Sequence, residues 1–378
     1  MQYGDRSPFY SSANMVTNPF FPDHLIGRQT ELQQVSQILA ADGDLMVTGI
    51  PGSGRRSLIQ SAALEVGARV LEIDCLRATT SSRFLERLAE GLLDVFSTPA
   101  ELAIVKQWSC DRPLTLENVS IYRSRLIWQV PSREEWTILQ ALLNLPQVMA
   151  EQLDCRIVFV FLNFPHIRSW DRSGEWEAYL RQELDRQSRV NYVIVATVPE
   201  PWAYESNLHL VNLAPLDREE IESWIIDAMT AKGLKFEIDA LDLYIERVRG
   251  HLGDAIALAR RIWLEQRLES LESKTSNFIQ LHHVHRSTLA LVEDFSQTFE
   301  SLLLLLPPIQ ARVLESLAID PTDSPHARDY LRKHQLSKGG GLQGALSGLE
   351  QKGLIYGGKY GYRVAMPLLA LWLKHRLA

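Results

Sequence analysis

Apolar runs and helical spacings alternate along the first half of this chain in a way that predicts a layered α/β unit. Runs with little polar interruption at Leu45–Thr48, Ile157–Leu162 and 192–197 read as buried strands, and 70–74 adds another. Between them apolar positions return every three or four residues: 28–40 (Leu32, Val35, Ile38, Leu39), 58–66, 81–96 and 174–188. The opening order is strand, Gly-rich loop, helix, strand, which is the βαβ start of a parallel sheet. Beyond residue 213 the pattern becomes helical over 217–232, 238–249 and 253–270, and the polar stretch 270–290 reads as a linker. Residues 295–378 read as three helices, a short Gly-bounded hairpin and a closing helix.

These patterns divide the chain into four parts. Residues 1–18 form an irregular N-terminal segment, and 19–213 an α/β domain with a helical insert near 97–150. Residues 214–290 form a helical unit with linker, and 291–378 a C-terminal domain. The insert carries Trp108, Tyr122, Trp128 and Trp136. Helical spacing favours core for most tryptophans, with Trp108, Tyr122 and Trp128 the candidates for an aromatic patch facing a partner. The Leu302–Leu306 run reads as core of the helix entering the C-terminal domain.

Composition narrows the class. The 378 residues are 46% hydrophobic and 22% charged, which excludes a disordered or fibrous chain. Three scattered cysteines, Cys75, Cys110 and Cys155, form neither a disulfide framework nor a zinc pattern and read as buried thiols. The longest apolar run is far short of a membrane span, and the N-terminus lacks a signal-peptide pattern, so a cytoplasmic protein is expected. Net charge is −7, yet residues 307–378 hold ten Lys/Arg against five acids. A basic terminal module on an acidic body points to a polyanionic partner. His282, His283 and His285 have no Cys or carboxylate at ligand spacing and read as solvated; no metal site is expected. No Ser or Cys stands in a nucleophile-elbow context.

The segment GIPGSGRRS at 49–57 sits where a phosphate-binding loop must sit, between a buried strand and a helix. Glycines let successive main-chain N–H groups curl round a phosphate at a helix N-terminus; a lysine then reaches the terminal phosphates and a Ser/Thr holds magnesium. Gly49, Gly52, Ser53 and Gly54 supply the backbone. The lysine position is Arg55 and the hydroxyl position is Arg56, with Ser57 one residue late.

With that loop in place, residues 18–378 resemble an AAA+ ATPase of the STAND, archaeal-ATPase or Orc/Cdc6-like type. Pro19-Phe20 and Leu25-Ile26-Gly27-Arg28 resemble the family's leading box, which lines the adenine pocket, and DLMVTGIPGSGRRSL resembles its Walker A segment. The resemblance implies a P-loop AAA+-like parallel sheet, a helical lid over 214–290 and a C-terminal winged helix. It places the Walker B acids at Leu162 and Asn163, neither of which is acidic. It also places the polar sensor-1 group at Thr197 and the sensor-2 arginine at Gly253, in GHLGDA. Leucine cannot ligate a cation and asparagine cannot serve as a base. The expected product is a pseudo-ATPase with no catalytic residues. It binds ATP or ADP, if at all, through the loop, Arg55, Ile26, Gly27 and Thr197, without protein-ligated magnesium.

Residues 307–364 read as the winged helix, with PPIQARVLESLAI, SPHARDYLRKHQL and KGGGLQGALSGLEQKGLI as its helices and GGKYGYRV as its wing. Lys338 and Gln343 on the third helix and Lys359, Tyr360 and Arg363 on the wing are the candidate DNA contacts, an inventory suited to phosphates more than to base reading. The domain serves equally as a packing surface or an intramolecular brake. The function expected is therefore a regulatory scaffold or adaptor that docks a protein partner, and DNA through the winged helix, with homo-oligomers as a further assembly. The alternatives are a nucleotide-dependent switch ATPase and an Orc-like DNA-binding initiator or transposition-type regulator.

Overall fold

The computed structural model describes residues 20, 25–120, 123–128, 135–183, 189–272, 277–336 and 339–377. The α/β part runs α1 (Gln29–Ala40), β1 (Leu45–Thr48), α2 (Arg55–Glu65), β2 (Arg69–Asp74), α3 (Ser81–Val95) and α4 (Pro99–Ser109). It continues through a hairpin, β3 (Thr115–Ser120) and β4 (Arg123–Ile127), and then α5 (Glu135–Leu153), β5 (Ile157–Leu162), α6 (Glu175–Glu183), β6 (Val190–Ala196) and β7 (His209–Asn212). Five strands form one parallel sheet in the order β2-β5-β6-β1-β7. β1 lies between β6 and β7, so chain direction across the sheet reverses beside it. That is where a doubly wound sheet opens a crevice at its strand ends.

Burial on both faces explains the strand sequences. Val47, Val160, Val193 and Val195 pack under α1 and α2, whereas Met46, Phe159, Phe161 and Tyr192 pack under α3 and α5. The stretch after β2 contributes helices and a hairpin rather than helices alone. Its aromatics turn inward: Trp108 is buried in the core and Trp128 packs against it. Trp136 stacks on Trp176 at 4.9 Å. Among the described residues the expected aromatic patch is absent; Tyr122 lies outside them, as do residues 1–18.

The second half runs α7 (Arg218–Thr230), β8 (Lys235–Phe236), α8 (Ile238–Val248), α9 (Leu252–Glu272), β9 (Phe278–Ile279) and α10 (Leu281–Asp294). It ends with α11 (Ser296–Leu304), α12 (Pro308–Ile319), α13 (Arg328–Lys333), α14 (Gly340–Gln351), β10 (Ile355–Tyr356), β11 (Arg363–Val364) and α15 (Pro367–Leu377). Two expectations are corrected here. Much of the supposed linker at 270–290 is structured: β9 pairs with β8, and α10 buries His283, Val284, Ser287 and Thr288. The leucine run is core only in part: Leu306 is buried and Leu302 and Leu303 pack against the core, whereas Leu304 and Leu305 are 79% and 85% exposed. One apolar core runs without a break from Ile225 and Tyr244 in the lid to Leu314, Leu346 and Leu369 in the winged helix. Among the described residues no helix is long and apolar enough to cross a membrane.

Candidate functional site

The phosphate loop stands at the C-terminal end of β1. Gly49, Gly52 and Gly54 take φ of 155°, 81° and 90°, conformations that side chains other than glycine's rarely tolerate, and Gly54 leads into α2. None of the main-chain hydrogen bonds of this segment uses the N–H of Gly54 or Arg55. Ser53 is buried and its Oγ has no hydrogen-bond partner among the described residues. Free N–H groups at a helix N-terminus beside an orphaned hydroxyl fit a phosphate. Pro51 and Gly52 stay exposed, so the loop is open to solvent.

Of the two arginines that follow, Arg55 is turned into the protein and Arg56 lies exposed along the surface. Arg55 donates from Nη1 to the carbonyl of Ala196 at 2.8 Å, the last residue of β6, and burial lowers its pKa. Arg56 pairs with Glu72 of β2 at 2.6 Å. Ser57 lies in the first turn of α2, beyond Arg56. Thr197 follows β6, and its carbonyl accepts from the N–H of Gly49 at 3.1 Å.

The magnesium side does not fit a cation. Leu162 ends β5 as hydrocarbon. Asn163, at φ 54°, donates from Nδ2 to Oδ1 of Asp74 at 3.0 Å, so its amide is spent on the neighbouring strand end. Asp74 is a carboxylate that the motif reading did not reach, because it closes β2 and only register with Leu162 brings it here. It also accepts from the N–H of Leu76. Among the described residues no group of three metal-ligating side chains forms.

Ile26 and Gly27 pack against the lid rather than standing open. Ile26 is buried in the lid core, and a Cβ on Gly27 would lie 2.4 Å from Oε1 of Glu220 in α7. The same carboxylate oxygen accepts from the N–H of Arg28 at 2.9 Å.

From the other side, the lid bonds directly to the loop. The N–H of Gly253 donates to the carbonyl of Gly52 at 3.1 Å, and Nε2–H of His251 donates to the carbonyl of Pro51 at 3.0 Å. Nδ1 of His251 lies 3.0 Å from Oδ1 of Asp254, whose other oxygen accepts from the N–H of Leu368 at the start of α15. Burial works against a charged His251, but Asp254 and the Pro51 carbonyl outweigh it and hold the imidazole above its ordinary range. Sequence reasoning passed over His251; its place within GHLGDA was the available signal.

The winged helix reaches the same loop. A Cβ on Gly353 would lie 2.4 Å from Cδ of Pro51 and 3.0 Å from Cγ2 of Thr197. Ile50 packs with Tyr356 and Ala365. Tyr360 is tied by its hydroxyl to Nδ2 of Asn212, at the end of β7, at 2.6 Å. Between wing and strand ends lies a cavity of about 300 Å³ lined by Thr197, Asn212, Glu350, Lys359 and Tyr360.

The candidate DNA contacts are thereby separated. Gln343 is exposed on α14, bonded to His326 at 3.0 Å and to Ser347 at 3.4 Å. Tyr360 faces the α/β core through Asn212, and Lys359, exposed at the rim of the same cavity, has its ammonium 5.3 Å from the Tyr360 ring centre. The Arg363 guanidinium lies 5.0 Å from that of Tyr356. Lys338 falls outside the described residues.

A parallel sheet in this order, with a phosphate loop after β1, a helical lid and a C-terminal winged helix, is the AAA+ P-loop ATPase fold. Comparison with known proteins agrees. Residues 297–375 match a family model described as a probable winged helix domain. The Walker-type ATPase PABY2304 of Pyrococcus abyssi is similar over 94% of this chain and 99% of its own, at 17% identity and a TM-score of 0.63. The ORC2 protein of Aeropyrum pernix, in its ADP form, is similar over 94% and 96%, at 14% identity and a TM-score of 0.51. At these identities the likeness establishes the fold. No curated protein matches the chain.

Proposed function

We propose that this protein is a regulatory AAA+ module that does not hydrolyse nucleotide, and that its phosphate loop joins the lid to the winged helix. The observation that carries this reading is the strand end of β5. Leu162 and Asn163 stand where a magnesium ligand and a water-positioning acid are needed, and the Asn163 amide is committed to Asp74. Without those groups there is nothing to hold the metal or orient an attacking water. The loop keeps the glycine conformations, the free N–H groups and the buried Ser53 hydroxyl that suit a phosphate. Nucleotide is therefore an occupancy signal, read by the lid through Gly253 and by the winged helix through Gly353. The output is the docking of a protein partner, with DNA engaged by the basic winged-helix domain once its wing leaves the core.

Calorimetric titration of ATP, with and without magnesium, tests the reading. Binding with no magnesium dependence and no turnover is expected, weakened at least about tenfold by Arg55→Ala, which removes a charged donor. Magnesium-dependent binding with turnover overturns it in favour of a switch ATPase. No binding near about 1 mM removes nucleotide from the proposal and leaves a scaffold alone.

A further inference from the structure

A second basic crevice lies away from the phosphate loop, at the seam between lid and winged helix. Arg247 and Arg249 come from the end of α8, Arg363 from β11 and Lys374 from α15; Glu246 is the one acid on its wall. Its volume is about 60 Å³, room for one tetrahedral oxyanion. Among the described residues none of these four cations has a carboxylate within ion-pairing distance. The Nε of Arg247 is buried without a hydrogen-bond partner.

Four like charges gathered on one small crevice repel one another and lower stability unless an anion answers them. Structural roles account for some of them. Arg247 and Arg249 offset the negative end of the α8 dipole, and Arg363 lies over Tyr356. Lys374 likewise lies in the last turn of α15, but none of these roles satisfies the buried Nε of Arg247 or explains why cations from three elements meet on one crevice.

We propose that this crevice binds a small phosphate-type oxyanion, which bridges lid and winged helix. Three of the four cations are half-buried and only Arg249 is exposed, so the charges line a recess rather than project from a convex face. That arrangement suits a free phosphate or the phosphate of a small metabolite more than the backbone of a duplex. The inference is independent of nucleotide at the phosphate loop.

The test is calorimetric titration of inorganic phosphate into the full chain in chloride buffer, alongside Arg247→Gln/Lys374→Gln, Glu246→Gln and Gly54→Val. Saturable binding is expected that the double variant weakens at least about tenfold, as for loss of two charged donors. Glu246→Gln, at an exposed position and so safe for folding, should tighten binding about two- to threefold by removing one repulsive charge. Gly54→Val, which damages the phosphate loop, removes phosphate binding at that loop and should leave the separate saturable component that the double variant weakens. The proposal is overturned if phosphate fails to saturate by about 10 mM, if the double variant binds as well as the parent, or if Gly54→Val abolishes binding. Displacement of phosphate by a short DNA duplex would also overturn it, by making the crevice a nucleic-acid contact.

Discussion

The main-chain N–H of Gly253 and the carbonyl of Gly52 form a 3.1 Å hydrogen bond, joining the lid to the phosphate loop backbone to backbone. A Cβ on Gly253 would stand 3.2 Å from His251 Cε1 and 3.5 Å from Gly52 Cα, so a long side chain has to leave by another route. Gly253→Arg, which would supply the sensor-2 arginine, should therefore disturb the lid seat without creating hydrolysis. Thermal unfolding together with a phosphate-release assay checks both halves; ATP turnover in this variant would contradict the account.

His251 should make stability depend on pH. Its pKa is raised in the folded protein, so its contribution is fully present below the unfolded value near 6.5 and is lost as pH rises through the folded value. The parent should lose stability relative to His251→Gln as pH climbs above about 6.5. Urea unfolding of both proteins between acidic and alkaline pH measures the difference, and parallel curves would exclude the effect.

Asn163→Asp should convert a hydrogen bond into a repulsive pair. The amide that donates to Asp74 at 3.0 Å becomes a second carboxylate. Stability should fall by about 1–3 kcal/mol and recover in part when magnesium replaces chelator, since a cation can bridge the two acids. The parent should show no such response. Differential scanning calorimetry in each buffer decides it.

Gly353→Val should unseat the winged helix. The position has φ 69°, and the new Cβ would meet the Pro51 ring. Backbone strain alone costs about 1–3 kcal/mol. The expected readout is faster proteolysis between α/β core and wing, with the shared lid and winged-helix core still cooperative.

Leu304→Ser with Leu305→Ser should change stability by no more than about 0.5 kcal/mol, because both side chains are already in water. A loss of several kcal/mol in chemical unfolding would mean that these leucines are covered.

The leucine run also marks a limit of sequence reading. Periodicity identifies apolar residues but not whether a neighbour arrives to cover them. The central strands β1, β5 and β6 were legible because both faces of the sheet are covered, leaving continuous apolar runs. β7 escaped notice because it is a four-residue edge strand with two exposed positions. α10 escaped because its buried face carries His283, Ser287 and Thr288, whose polar atoms are met by partners such as Glu265 and the carbonyl of Val284. At the site, glycine spacing located the loop. It could not show that Arg55 turns to Ala196, that Arg56 pairs with Glu72, or that Asp74 backs Asn163, because each depends on strand order.

Pro51 answers to two neighbours at once: its carbonyl accepts from His251 while its ring faces Gly353. Free-energy linkage makes such an arrangement reciprocal. A ligand that favours one loop position shifts both neighbours, and anything that captures the winged helix must change ligand affinity at the loop by the same factor. Partner binding measured with and without nucleotide thus closes a thermodynamic cycle, and one corner can be predicted from the other three.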